Sequence, residues 1–292
     1  VGILAVSALL LAPLGEELLF RGRLFRRLAA RTGLAPAYLA SALLFAAIHM
    51  ILQGFIVYAW LGLVFALAYA VTGRLGAAIA AEFARLGAAL VVVSRKPDHL
   101  AAAATALGAM GAEVLTVPCD IRDAEAVAHA FDVATEAFGP PDVLVNNAAA
   151  NFPSPAEDLS PNAWRTVVDI TLNGTYLCAR EFGRRHLAAG TPGSIICVGA
   201  SYAWTGGPGF AHSSAAKAGV KNLVETLAVE WGPFGIQVNG LVPGLMPHDD
   251  MTLDIRTNLD RNQARGRSQP ALRLGEPREL GWAATFLASP YG

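Results

Sequence analysis

Two groups of side chains in this sequence have the types and spacing to do chemistry. Near the start, Glu16 and Glu17 are adjacent carboxylates in an apolar stretch, with Arg21 one turn later. Phe45 and His49 follow at an i, i+4 spacing, which places them on one helix face. Ionisable groups at membrane depth are costly and point to a functional site. A glutamate converging with histidines between helices can activate a water for amide hydrolysis. The second group stands at the ends of apolar runs: Ser94-Arg95-Lys96 after one, Asp120 after another, Asn146-Asn147-Ala148 after a third. A positive pair in the first position suits a ribose 2′-phosphate, where an acid would instead bond a 2′-hydroxyl. A solvated loop is the alternative reading of that pair. The small and amide residues let backbone approach a flat ring. Between the two groups, Thr72, Gly73, Arg74 and Gly76 form a short glycine turn ahead of a helical pattern. Backbone N–H groups at such a helix start receive a pyrophosphate.

The elements that must position the second group are legible as alternation. Apolar, β-branched runs lie at 89–94, 113–118, 142–146, 194–199 and 236–242, with helical patterns near 77–87, 98–109, 123–138, 161–188, 212–231 and 277–288. Strands alternating with helices of this length indicate βαβ units and a parallel sheet. Continuously apolar strands fit a sheet covered by helices on both faces. The fold expected for 75–292 is doubly wound α/β, whose ligands bind outside the carboxyl ends of the strands.

Residues 1–74 have another texture. They hold six Arg and no Lys against two acids, a net of +4, so the rest of the chain carries −5 of the overall −1. Between Arg31 and Arg74 there is no Asp, Glu, Lys or Arg. That run is long enough for two spans of about 20 residues, broken at Leu52–Gly54. The arginines at 21–31 would then face the cytoplasm. A buried helical pair in a soluble core is the alternative. The acidic balance after residue 75 argues against a nucleic-acid surface. Cys119, Cys178 and Cys197 are widely spaced and without a CxxC, so reduced thiols are expected, with neither zinc nor disulfides.

The motifs "CDIRD" (119–123), "NNAAANF" (146–152), "LNGT" (172–175), "SSAAKAGV" (213–220), "VNGLVPG" (238–244) and "RLGEPREL" (273–280) resemble, in order and spacing, the short-chain dehydrogenase/reductase family. That family pairs a Tyr with a Lys four residues later. Here Lys217 is present but the tyrosine position holds Ser213, and the family's usual serine position holds Ala200. This departure resembles the 2,4-dienoyl-CoA reductase branch, which has a serine there and a tyrosine further upstream, matched by Tyr202. The resemblance implies an NADPH-dependent reduction of an enoyl- or 2,4-dienoyl-CoA thioester. Tyr202 and Ser213 would hold the thioester carbonyl, Lys217 the nicotinamide ribose, and Asn173 would order the site through its helix and a water. Trp204 and Phe210 would suit an acyl-chain wall, while His212 reads as a surface or capping residue. The cofactor NADP(H) would be bound by Gly73, Arg74, Gly76, Ser94, Arg95, Asp120, Asn146, Ala148, Lys217, Pro243 and Gly244, with 246–252 as a mobile substrate loop. A homo-oligomer is implied through the helices at 161–188 and 212–231. The chemistry is consistent: a serine hydroxyl is too weak an acid to protonate an alkoxide, yet it can donate a hydrogen bond to a thioester oxygen gaining charge.

The first segment resembles the CPBP (CAAX-protease and bacteriocin-processing) intramembrane proteases. Glu16, Glu17, Arg21, Phe45 and His49 match, but Glu82 and Arg85 stand about where a second His and an Asn should fall. Glu16, Glu17 and His49 are thus a remnant of a metal-type site, and the reductase reading uses no metal. The expected organisation is a membrane-helical fragment at 1–74 and an NADP-binding reductase-like domain at 75–292. The reductase would lie on the cytoplasmic side of a bacterial inner membrane, or free in the cytoplasm if the first segment is not native. The turn T-G-R-L-G is three residues shorter than the family's, Phe65–Val71 replaces the first strand, and the chain stops at "ASPYG", before the family's last strand. An incomplete protease and an inactive chimeric fusion are the alternative functions.

Overall fold

Five apolar runs form strands in the computed structural model, which describes residues 75–244, 246 and 271–292. They are β1 (Leu90–Ser94), β2 (Val114–Pro118), β3 (Val143–Asn146), β4 (Gly193–Val198) and β5 (Ile236–Leu241). The main helices between and after them are α1 (Leu75–Arg85), α2 (Pro97–Gly108), α3 (Ala124–Phe138), α4 (Pro161–Val168), α5 (Gly174–Ala189), α6 (Tyr202–Thr205), α7 (Ala211–Trp231) and α8 (Pro277–Leu287). The chain divides into two units, Val1–Ala70 and Val71–Gly292. The readings made on Glu16, Glu17, His49, Gly73, Arg74, the 65–71 run, the membrane spans and the 247–252 loop lie outside the described residues. No helix among the described residues is long and apolar enough to cross a membrane.

Every described strand pair is parallel, in two sheets ordered β2-β1 and β3-β4-β5. The doubly wound order is 3-2-1-4-5-6. The described strands take the second to the sixth places of that order. The two sheets are then that order, interrupted at strand one.

Side chains alternate across a strand, and in β4 the alternation serves two cores. Ile195 and Cys197 enter one with Phe131, Phe182, Val220 and Trp231, from α3, α5 and α7. Ile196 and Val198 enter the other with Ile79 of α1 and Leu280 and Ala284 of α8. Helices therefore cover both faces, as the continuous apolarity of the strand requires. Asp123 caps α3 by accepting from the amides of Glu125 and Ala126, and Ser160 caps α4 by accepting from Ala163.

The helical pattern at 161–188 is two helices, α4 and α5, joined by a π turn at Asp169–Asn173. Fully buried Thr171 explains the turn: its hydroxyl accepts from the Ala150 amide, tying it to the segment after β3. Gly174 follows because a Cβ there would lie 2.5 Å from Ile121 Cδ1. Such single-turn widenings of helices are frequent at functional sites.

Candidate active site

The carboxyl ends of β3 and β4 lead into the two segments that meet over the start of α7. Val198 ends β4, and four residues later Tyr202 opens α6. The Tyr202 ring stacks on Phe210, with centroids 6.0 Å apart and planes 10° from parallel. Phe210 precedes α7, whose third residue is Ser213. The stacked ring brings the Tyr202 hydroxyl to 3.0 Å from Ser213 Oγ. The segment after β3 approaches from the other side: Ser154 donates its amide to the Gly209 carbonyl at 2.9 Å. That contact brings Asn151 Nδ2 to 3.5 Å from the Tyr202 hydroxyl. Three neutral polar groups thus converge, with an amide and a hydroxyl able to donate toward one oxygen.

Lys217 lies one turn beyond Ser213 on α7 and is only 7% exposed. Its Nζ donates to the Val198 carbonyl at the end of β4. Burial pushes its pKa down from 10.5 to about 8, because the charged form loses its water. Cys197 lies beside it and Asn146 Nδ2 is 3.6 Å from Cys197 Sγ, so Asn146, Cys197 and Lys217 form one buried polar cluster. A cavity of about 200 Å³ opens next to Lys217, lined also by Cys197, Ala200, Trp204, Lys221 and Val242. Lys221 Nζ sits 5.8 Å from the centre of the Trp204 ring.

At the ends of β1 and β2, Ser94 Oγ accepts from the Lys96 amide, and the Arg95 guanidinium is about half exposed. Asp120 is gripped by Arg122 and holds Arg95 at 3.7 Å. The Arg122 hydrogen bonds keep the Asp120 carboxyl down at about 2. Gly76, in the first turn of α1, faces Asn147: a Cβ there would lie 2.7 Å from Asn147 Nδ2. This close approach needs glycine unless the amide moves.

Tyr202 and Ser213 are therefore neighbours, and Lys217 follows Ser213 one turn further along α7. Asn173 is exposed at the end of the π turn and donates to Asp169 at 2.8 Å. Ala148 is exposed after β3, while Pro243 and Gly244 follow β5. His212 is not a surface or capping residue but fully buried, because this position on α7 faces the segment after β3. Its ring meets Phe152 edge-on at 4.5 Å, and neither ring nitrogen has a hydrogen-bond partner among the described residues. Sequence reasoning missed Asn151 and Arg122, although both stand inside quoted motifs. The signals were an amide five residues after Asn146 and a cation two residues after Asp120.

Glu82 and Arg85, where a protease helix would carry other groups, are used structurally. Buried Glu82 pairs with Arg85 on its own helix and with Arg278 of α8 at 2.9 Å. The three cysteines are free and buried.

Residues 71–292 match the family described as Enoyl-(Acyl carrier protein) reductase, and residues 2–84 match Type II CAAX prenyl endopeptidase Rce1-like. A Bacillus subtilis protein named a probable 2,4-dienoyl-CoA reductase is 38% identical over 219 residues, covering 74% of this chain and 85% of that protein. A crystal structure of a short-chain dehydrogenase from Bacillus anthracis superposes with a TM-score of 0.67 at 39% identity, over 75% of this chain and 88% of the other. A gluconate 5-dehydrogenase from Burkholderia cenocepacia, solved with NADP and tartrate, gives a TM-score of 0.68 at 29% identity, over 74% and 85% of the two chains. By this match, by the strand order and by the clustering of Tyr202, Ser213 and Lys217, the chain belongs over residues 71–292 to the short-chain dehydrogenase/reductase family of oxidoreductases.

Proposed function

We propose that this chain is an NADPH-dependent reductase of an enoyl- or 2,4-dienoyl-CoA thioester. The observation that carries the reading is the 3.0 Å approach of the Tyr202 and Ser213 hydroxyls, one helical turn from a buried lysine. Support comes from the relative named a 2,4-dienoyl-CoA reductase and from the NADP in the gluconate 5-dehydrogenase structure.

The residues fit the cofactor. Gly76 brings the start of α1 against the Asn147 amide, the half-exposed Arg95 suits a 2′-phosphate, and the Lys217 ammonium has one hydrogen-bond acceptor among the described residues, the Val198 carbonyl. Asp120 would border the adenosine; Asn146, Ala148, Pro243 and Gly244 would line the nicotinamide end, and Lys217 would hold its ribose. When bound, the nicotinamide supplies the hydride. Tyr202 and Ser213 donate hydrogen bonds to the thioester oxygen as it gains negative charge, and Asn151 holds the Tyr202 hydroxyl in place. Aimed donors of this kind contribute most where charge develops. Neither hydroxyl has to lose its proton, so the carbon is protonated by water.

In this reading residues 75–292 are the reductase, and residues 1–74 tether it to a membrane on its cytoplasmic side. The match of residues 2–84 to a CAAX endopeptidase family supports the tether. The test is NADPH oxidation by the full chain with a 2,4-dienoyl-CoA and, as a comparison, a ketone substrate. Turnover of the thioester alone is expected. A protein that binds NADPH but reduces only the ketone refutes the substrate, and one that binds no NADPH is an inactive fusion.

A further inference from the structure

Two arginines face the carboxylate of Asp120, and they hold it unequally. Arg122 takes it as a fork: Nε lies 3.0 Å from Oδ1 and 3.1 Å from Oδ2, and Nη2 also donates to Oδ2. The Arg122 amide adds a third donor group, 3.1 Å from Oδ1. Arg95 stands at 3.7 Å from Oδ2, beyond hydrogen-bond distance. The strand pairing enforces this proximity. Ser94 is in register with Pro118, and the Cys119 amide donates to the Ser94 carbonyl. Arg95 and Asp120 therefore leave adjacent strand ends side by side, whatever the rest of the site does. Lys96 and Asp123 are the next charges along the two segments, and Asp123 is occupied capping α3.

A carboxylate that close to Arg95 competes with any phosphate for the same guanidinium. We infer that Arg122 is a positioning residue for cofactor choice: by taking the hydrogen bonds of both Asp120 oxygens it limits the Asp120–Arg95 contact to a 3.7 Å ion pair and leaves the Arg95 donors for a 2′-phosphate. Selectivity for the phosphorylated dinucleotide thus depends on a side chain that does not touch the phosphate. A bidentate fork is specific to Arg, since Lys offers a point charge on a flexible stem. This inference rests on the NADP(H) part of the proposed function and is independent of the acyl substrate.

The experiment is fluorescence titration of the full chain with NADPH, NADH and 2′,5′-ADP, which needs no turnover. The parent should prefer NADPH. Arg122→Gln should lower the NADPH-to-NADH affinity ratio about ten- to hundredfold, the range of one lost charge-assisted bond. Arg122→Lys should fall between the two. The double variant Asp120→Asn/Arg122→Gln should regain the parental ratio, because no carboxylate then competes for Arg95. The 2′,5′-ADP affinities should follow the same order. A parent that binds both dinucleotides alike overturns the NADP(H) reading and this inference with it. A selective parent whose Arg122→Gln variant keeps its ratio overturns the inference alone. Failure of the double variant to recover makes Arg122 a direct phosphate ligand, which also overturns it.

Discussion

Replacing Lys217 by Met should stabilise the cofactor-free protein at neutral pH, and the advantage should shrink as the pH rises. The ammonium is 7% exposed and has one carbonyl acceptor among the described residues, so its charge is poorly solvated. A pKa lowered from 10.5 to about 8 means that keeping it charged at pH 7 costs about 3 kcal/mol relative to an unburied lysine. Between about pH 8 and 10.5 the unfolded chain still binds the proton that the folded chain has released, so parental stability climbs with pH in that window. Methionine has no such dependence. The Val198 carbonyl left unpaired in the variant offsets part of the gain, by about 1–3 kcal/mol, but that loss is the same at every pH. The measurable quantity is therefore the variant-minus-parent difference from urea unfolding, which should fall by about 2–3 kcal/mol between pH 7 and pH 10. Titrations of groups that do not interact with Lys217 cancel in the difference; the neighbouring Cys197 thiol, which loses a favourable charge in the variant, does not. A difference that stays constant with pH would refute the reasoning, because it would mean that Lys217 has an ordinary pKa and is no strained, ligand-ready cation. The functional counterpart follows from the same charge. If the ribose hydroxyls are its missing acceptors, NADPH affinity in the parent falls as the pH passes about 8.

Three further outcomes follow from particular contacts. Tyr202→Phe and Ser213→Ala should each lower kcat for the thioester about 10²- to 10³-fold, the cost of one oxyanion donor. Because the two hydroxyls are 3.0 Å apart and share the oxygen, the double variant should lose less than the product of the singles; strict additivity would separate them. Gly183→Ala should destabilise by about 1–2 kcal/mol in urea. The new Cβ would lie 2.6, 2.7 and 2.9 Å from three atoms of the Trp231 indole, and that overpacking outweighs the roughly 1 kcal/mol gained in helix propensity. Phe182→Ala, at a fully buried ring between α5 and β4, should cost about 3–5 kcal/mol in the same assay.

What the sequence revealed and what it hid divide along the range of the interactions. The strands were legible because β-branched runs bounded by glycine and polar residues are local signals, and β4 obeys its period of two on both faces. Lys217 and Ser213 were legible through the family motif that contains them, and their i, i+4 spacing puts them on one helix face. Asn151 was not, since its partner Tyr202 is 51 residues away and the approach depends on the Ser154–Gly209 hydrogen bond between two loops. The π turn was hidden because one added residue leaves the apolar pattern of 161–188 almost unchanged, and its contact with Ala150 through Thr171 lies outside that pattern. His212 was misread for a related reason. Its chemistry suggests solvent, but the neighbour that excludes solvent is Phe152, far away in the chain.

The place of α1 in the fold acquires a meaning from the strand order. Among the described residues, β1 pairs with β2 and β3 with β4, and β1 and most of β3 are half-buried. β4, with a partner on each side, is buried almost throughout. The interruption therefore falls between the strands that carry Arg95 and Asp120 and those that carry Asn146 and lead to Lys217. The adenosine end and the nicotinamide end of the proposed site belong to different sheets, and some element has to fix their separation. α1 makes contact on both sides. It touches β1 and α2, packs along α8, and places Gly76 against Asn147 after β3. The buried Glu82 fastens it to Arg278 of α8, and Gly281 of α8 allows the approach, since a Cβ there would lie 2.4 Å from Glu82 Cγ. α1 is thus in contact with both parts of the described fold. The Glu82–Arg278 pair and the packing of Ile79 against Leu280 and Ala284 tie it to α8.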